Sequence, residues 1–196
     1  MAGSGLAPRE RILNTAYDLF STRGVRDVGI DEVIRESGVA KATLYKHFGS
    51  KDDLVLAFLA IREQRWTMGL VDAQARARGS TPEGRLLAIF DVLHDWFHSP
   101  DFDACAFISV LLEMGPDHPL GRAGIEHLEH IRDVVVTLAT EAGLEDVDDF
   151  ARSWHILMKG SIISATEGDV EAAHRAKAMA RLLIERHRPE RRVDRP

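Results

Sequence analysis

Val28–Lys51 reads VGIDEVIRESGVAKATLYKHFGSK, and the fold turns on this stretch. Ile30–Ser37 has helical spacing, with Val33 and Ile34 on the inward side. Gly38 follows, where a positive backbone angle costs a glycine little. Val39 is apolar and can fill the angle between two helices. A second short helix is predicted over Lys41–Phe48, with Leu44 and Phe48 four residues apart on one face. Thr43, Tyr45, Lys46 and His47 surround that apolar pair with polar groups. Ala40 and Ala42 leave room for close approach of the backbone. Gly49 then makes a turn. Ser50 is placed as an N-cap, and Asp52 and Asp53 suit the first turn of the next helix. Two short helices about a glycine form the frame of a helix-turn-helix.

Working outward, strand signals are scarce and apolar residues recur at helical spacing almost throughout. About nine helices are expected. Before the quoted stretch, Pro8–Arg23 buries Ile12, Leu13, Ala16, Leu19 and Phe20 and stops at Gly24. After it comes a long fourth helix, Lys51–Arg76, with Leu54, Phe58, Ile61 and Arg65 on one side. Gly79–Pro82 is the clearest loop, with Thr81 as N-cap and Pro82 at the first helical position. The remaining helices are expected over Pro82–His98, Asp101–Met114, Pro119–Ala142, Val147–Glu167 and Val170–His187. Gly121 and Gly124 blur the start of the seventh. The all-α chain is therefore expected to divide into a helix-turn-helix head at 1–52, a helical body at 53–188 and a flexible charged tail at 189–196.

Charge sharpens the picture. The chain of 196 residues carries a net charge of −6. Residues 1–60 hold eight basic and eight acidic side chains, so the deficit lies beyond them. From Ser37 to Lys51 there is no acid, while Lys41, Lys46 and Lys51 are basic. A local basic island on an acidic protein fits contact with a polyanion, whereas the total charge excludes a general coating of nucleic acid. Lys51 stands beside the backbone N–H groups of a helix start, which favour an anion. Tyr45 can serve either as a contact or as a partly packed ring with its hydroxyl at the surface.

The run Gly38-Val39-Ala40-Lys41-Ala42-Thr43-Leu44-Tyr45-Lys46-His47-Phe48, followed by Gly49-Ser50-Lys51-Asp52-Asp53-Leu54, resembles the TetR family of bacterial regulators. The resemblance covers about residues 8–60. It implies a helix at Lys41–Phe48 that enters the major groove of double-stranded DNA. Lys41, Thr43, Tyr45, Lys46 and His47 then become DNA contacts, with Lys51 on a phosphate. The family pattern often starts the second helix with a capping threonine that touches phosphate. Gly29 stands there in this sequence, so no side-chain contact carries over. The resemblance also implies a homodimer built on the last two helices. Two-fold symmetry would set the reading helices about 34–36 Å apart, on a palindromic operator.

In the body, Asp101–Met114 is apolar almost all round and is expected at the middle of a domain. Pocket candidates for a small effector of unknown identity are Trp66, Phe90, Trp96, Phe97, Phe102, Cys105, Ile108, Leu111, Trp154 and Met158. Ordinary core packing uses the same residue types. Dimer candidates are Trp154, Met158, Ser161, Ile162, Ala165, Ala173, Ala176, Ala180, Leu183 and Ile184, with Ile156 and Ile163 off that stripe. Glu113, ending the apolar helix, reads as a solvated helix terminus in preference to a polar anchor in a cavity.

No cofactor and no metal site are expected. His94/His98 and His127/His130 have helical spacing for ligands, but no third ligand is identifiable and no HExxH occurs. The lone Cys105 excludes an internal disulfide. No nucleophile–base pair, phosphate loop or paired-carboxylate site appears, so no enzyme is expected. The N-terminus lacks a signal-like apolar stretch and no long apolar run occurs, so a cytoplasmic chain with no membrane partner is expected. The expected function is a repressor released by a small, largely apolar effector. The alternatives are an activator of the same architecture or a helical carrier without DNA activity.

Overall fold

The computed structural model describes residues 6–189, and every regular element among them is helical. The tail expected at 189–196 lies, apart from residue 189, outside the described residues. The helices are α1 (Pro8–Arg23), α2 (Ile30–Ser37), α3 (Lys41–His47), α4 (Lys51–Arg62), α5 (Ala73–Arg78), α6 (Pro82–Phe97), α7 (Ala106–Met114), α8 (Pro119–Glu141), α9 (Val147–Thr166) and α10 (Ala172–His187). A π-wound stretch, Glu63–Asp72, joins α4 to α5. The fourth helix expected over Lys51–Arg76 is thus wound as three consecutive segments, α-helical, π-wound and α-helical again. Such π-winding is unusual beyond a single turn and is often found where a helix serves function. No helix among the described residues is long and apolar enough to cross a membrane.

The chain packs as two compact units. Among the described residues, one comprises 6–64 together with Cys105–Leu128, and the other Arg65–Ala104 with 129–189.

In the first unit, α1 begins at Pro8, and the Ala7 N–H donates to Glu10 Oε2 at 3.1 Å. Ile12, Leu13, Ala16 and Phe20 line its buried face, as the spacing predicts, while Leu19, expected there too, is only half-buried. They meet Val33, Leu44, Phe48, Leu54, Val55, Phe58 and Leu59 in one core. Phe58 stands edge-on to both Tyr17 and Phe20, with ring centroids 5.6 Å apart in each pair. Buried Arg62 donates from Nη1 to the Tyr17 hydroxyl at 3.0 Å.

Helix α7 packs into this same unit and explains Glu113. Its Oε2 accepts the Arg26 N–H at 2.8 Å, in the loop between α1 and α2. Gly24 permits this twice over. Its φ is +82°, and a Cβ there would lie 2.6 Å from Glu113 Oε1. Glu113 is therefore an anchor for the head rather than a solvated terminus.

Helix α7 also corrects an expectation. It begins at Ala106, not Asp101, because Ala104 adopts φ 61° and Cys105 is extended. Nor is it apolar on all sides by burial, since Leu112 is 76% exposed. Helix α8, by contrast, starts at Pro119 despite its glycines. A Cβ on Gly121 would fall 1.8 Å from the Gly115 carbonyl oxygen, so glycine is what lets the backbones approach there.

The second unit has its core between α6, α9 and α10. Trp154 packs against Phe90 at 5.1 Å and Phe150 at 5.2 Å, all fully buried. Thr81 caps α6 by accepting the Gly84 N–H at 3.0 Å, and Pro82 holds the first position as expected. Lys177 on α10 reaches both Asp91 oxygens on α6 at 2.6 Å. His155, beside this core, is buried. Desolvation, with smaller contributions from Lys159 and Arg132, pushes its pKa from 6.5 down to about 3.

Two outcomes follow. Glu113→Ala leaves the Arg26 N–H without its charged acceptor and should lower stability by about 1–3 kcal/mol in urea unfolding; no change would show that the anchor is idle. His155 gives a pH signature. The unfolded chain takes a proton near 6.5 and the folded chain only near 3, so stability contributed by the neutral ring is complete above 6.5 and is lost as pH falls towards 3. Over that window the slope should approach about 1.4 kcal/mol per pH unit from this group. His155→Leu should flatten the slope, and an unaltered pH dependence would contradict the assignment.

Candidate functional site

The reading element is built by splitting one short helix into two faces. Leu44 is fully buried and Phe48 nearly so, which fixes α3 against the head. Burying a side chain such as Leu44 contributes about 1.5–3 kcal/mol. The opposite face follows from the helical period. Lys41, Ala42, Tyr45, Lys46 and His47 are exposed, and Thr43 is half-buried. Tyr45 is 43% exposed, so its ring belongs to the outer face rather than the core. Gly38 makes the turn with φ +63°, and Val39 is buried behind it. The two-helix frame and the polar set therefore lie as the sequence indicates.

Two details were not legible. Lys41 Nζ lies 3.4 Å from Asp31 Oδ1 on α2, an exposed pair that holds the ammonium only weakly. Charge on the preceding helix offers a signal for such a pair, but not its distance. Arg9 lies over the Phe48 ring at 5.2 Å, adding a cation to the same end of the head. At the start of α4, Ser50 Oγ accepts the Asp53 N–H at 3.1 Å, and Lys51 is half-buried. Gly29 caps α2 by backbone alone, with no side-chain bond.

The effector candidates separate. Trp66, Trp96, Phe97 and Phe102 gather in the second unit. Trp96 lies 5.4 Å from Trp66, 4.9 Å from Phe102 and 5.9 Å from Phe97 by ring centroids. Within this group Trp66 Nε1 is buried with no hydrogen-bond partner, as is Oγ1 of adjacent Thr67. Phe90, Trp154 and Met158 form the neighbouring core of the same unit. Cys105, Ile108 and Leu111 lie in the first unit, on or beside α7.

The dimer candidates also divide, by burial. Trp154, Met158, Ser161, Ile162, Ala165, Ala173, Ala176, Ala180 and Ile184 are buried within a single chain. Leu183 is half-buried. The open apolar residues are Ile156 and Ile163 on α9 and Met179 and Leu182 on α10, each between 44% and 69% exposed. Ile156, Gly160 and Ile163 follow one another at i, i+4 and i+7, so they form one outward stripe. A groove of about 400 Å³ runs between the two helices, lined by Ile156, Leu157, Met179, Leu182 and Leu183 with Ser153 and Arg186.

Comparison with known proteins agrees with this architecture. The family model for bacterial regulatory proteins of the TetR family matches residues 12–58, which hold α2, α3 and most of α1 and α4. The crystal structure of a TetR-family transcriptional regulator from Streptomyces coelicolor superposes with a TM-score of 0.84 at 30% identity. That match covers 93% of this chain and 96% of the other. The HTH-type transcriptional regulator SrpR of Pseudomonas putida is 27% identical over 137 residues, 69% of this chain and 63% of its own length. The HTH-type transcriptional activator FasR of Mycolicibacterium smegmatis is 38% identical over 77 residues, 39% of this chain and 33% of its own length. The matched stretch thus spans less than two thirds of either curated relative.

With one helix anchored by Leu44 and Phe48 and open on its polar side, and with a 30% identical family structure matching over nearly its whole length, this chain belongs to the TetR family of bacterial DNA-binding transcriptional regulators.

Proposed function

We propose that this regulator acts as a homodimeric repressor, binds a palindromic operator through α3, and is released by a small, largely apolar effector. One observation carries the reading. The exposed set Lys41, Tyr45, Lys46 and His47 stands on a helix held from behind by buried Leu44 and Phe48. Side chains on a rigid helix can meet base edges and phosphates at little entropic cost. Thr43 and Lys51 complete the proposed contacts. A regulator of chromosomal DNA works in the cytoplasm.

The dimer is assigned to the outward stripe of α9 and α10, not to the residues packed inside the chain. Ile156, Ile163, Met179 and Leu182 expose apolar surface beside one another, and Gly160 between the first two lets a second helix come close. A second copy meeting the same stripe about a two-fold axis buries all of it on both sides.

The effector is assigned to the aromatic group around Trp96. Trp66 Nε1 offers a donor to an acceptor on the bound molecule, and Thr67 Oγ1 can donate or accept. Release requires that the effector bind more tightly to the state whose heads are misplaced for the operator. The helical stretch expected over Lys51–Arg76, which joins head to body in the chain, is the proposed lever. Activation of transcription is the second reading, favoured by the similarity to FasR, which is named an activator. Deleting the gene decides the sign: target expression should rise for a repressor and fall for an activator.

Two binding experiments test the rest. A duplex selected from random sequence by the wild-type protein should bind Tyr45→Ala and Lys46→Ala more weakly, while folding and assembly stay normal. For Lys46→Ala the slope of log affinity against log salt should shrink by about 0.9 per site. Equal affinity and slope would remove α3 from the interface. Ile156→Asp combined with Leu182→Asp should convert the dimer into a folded monomer in sedimentation, with operator affinity lower by more than about tenfold. A variant that remains dimeric would move the interface elsewhere.

A further inference from the structure

We propose that His94, His98 and Glu171 bind a divalent transition-metal ion of zinc type, with His174 holding Glu171 in place. The site lies wholly in the second unit, where the end of α6 meets the start of α10. It is independent of the operator and effector readings.

Three rungs join the two helices. Asp91 pairs with Lys177, His94 stacks on His174 with centroids 3.8 Å apart, and His98 faces Glu171. The first rung is an ordinary ion pair. The other two bring three imidazoles and a carboxylate together. One candidate ligand atom each from His94, His98 and Glu171 lies within 4.8 Å of the others.

The hydrogen bonds show why this cluster wants a cation. His98 Nδ1 lies 2.8 Å from the His94 carbonyl oxygen, which can only accept. Nδ1 therefore carries a hydrogen, which leaves Nε2 as the ring nitrogen able to offer a lone pair to a metal. That Nε2 faces Glu171 Oε1 at 3.5 Å. Two acceptors confront each other there unless a proton or a metal cation lies between them. His94 Nδ1 is buried with no hydrogen-bond partner and stands 4.0 Å from Glu171 Oε2. The third ring does something different. His174 Nδ1 lies 3.0 Å from Glu171 Oε2 and, as donor, orients the carboxylate.

The spacing suits a small ion. Ligands at about 2.0–2.1 Å on a tetrahedron lie roughly 3.3–3.4 Å from one another; the candidate atoms, now between 3.5 Å and 4.8 Å apart, close on an ion when side-chain rotations draw them in by up to about 1.5 Å. Two imidazoles and a carboxylate select zinc, nickel, cobalt or copper over magnesium or calcium. Three protein ligands leave a fourth position for water or another donor. Bound metal would tie α6 to α10 beyond the Asp91–Lys177 pair.

Zinc itself is the probe. Tag-free, full-length protein freed of metal should take up one Zn²⁺ per chain with submicromolar affinity, measured by competition with a chromophoric chelator. His98→Ala and Glu171→Gln should each weaken uptake at least about tenfold, while His118→Ala, a histidine elsewhere in the fold, should not. His98 and Glu171 are both substantially exposed, so the variants should fold, and circular dichroism checks this. Zn²⁺ should also raise the melting temperature of the wild type but not of Glu171→Gln. X-ray absorption at the zinc edge of the wild type needs no variant and should show two imidazoles. An all-oxygen shell, unchanged affinity in the variants, or binding only at millimolar zinc would overturn the site. In the last case the lone pairs of His98 and Glu171 are bridged by a proton alone.

Discussion

Everything functional in this molecule depends on the burial of Leu44 and Phe48. These residues take one side of a seven-residue helix out of water and leave its other side no choice of direction. A helix this short has little stability of its own, because nucleation is costly and few hydrogen bonds repay it. Tertiary packing against α1 and α2 therefore makes the reading element exist as well as orienting it. The polar residues contribute to recognition only because the apolar pair removes their freedom to turn away.

The head is held from a second direction that the chain order conceals. Glu113 is more than eighty residues from Arg26 in sequence, yet its carboxylate receives the Arg26 N–H. The α1–α2 loop is thus fixed by a residue of α7. Gly24 makes this possible, since any side chain there would collide with the carboxylate and strain the backbone. Sequence reading correctly found that Glu113 closes an apolar helix but favoured a solvated terminus. A carboxylate at a helix end has the same local pattern whether water or a distant N–H satisfies it.

The body shows where periodicity reads well and where it does not. The stripes of α9 and α10 were visible, because apolar residues recur every three or four positions. Which stripe meets the chain's own core was not. Trp154, Met158 and Ala180 on one side, and Ile156, Ile163 and Leu182 on the other, are all apolar, and residue type alone does not rank the two faces. The start of α7 was misread for a related reason. Asp101–Cys105 carries helical spacing, but Ala104 turns through a left-handed angle for which an alanine gives no warning. The histidines repeat the lesson in chemistry. His94 and His98 share a face by spacing, whereas Glu171 and His174 join them only because α10 runs back along α6.

By itself, the sequence determined the helical class, the turn at Gly38, the caps at Ser50 and Thr81, and the outward polar set of α3. These are local matters, decided by backbone preference and a period of 3.6 residues. Only the tertiary structure decided the partner of Glu113, the exposed apolar face of α9 and α10, and the meeting of His94 and His98 with Glu171. Those depend on which distant surfaces come into contact. No local energy encodes that; it is set by how all the helices bury their apolar faces together.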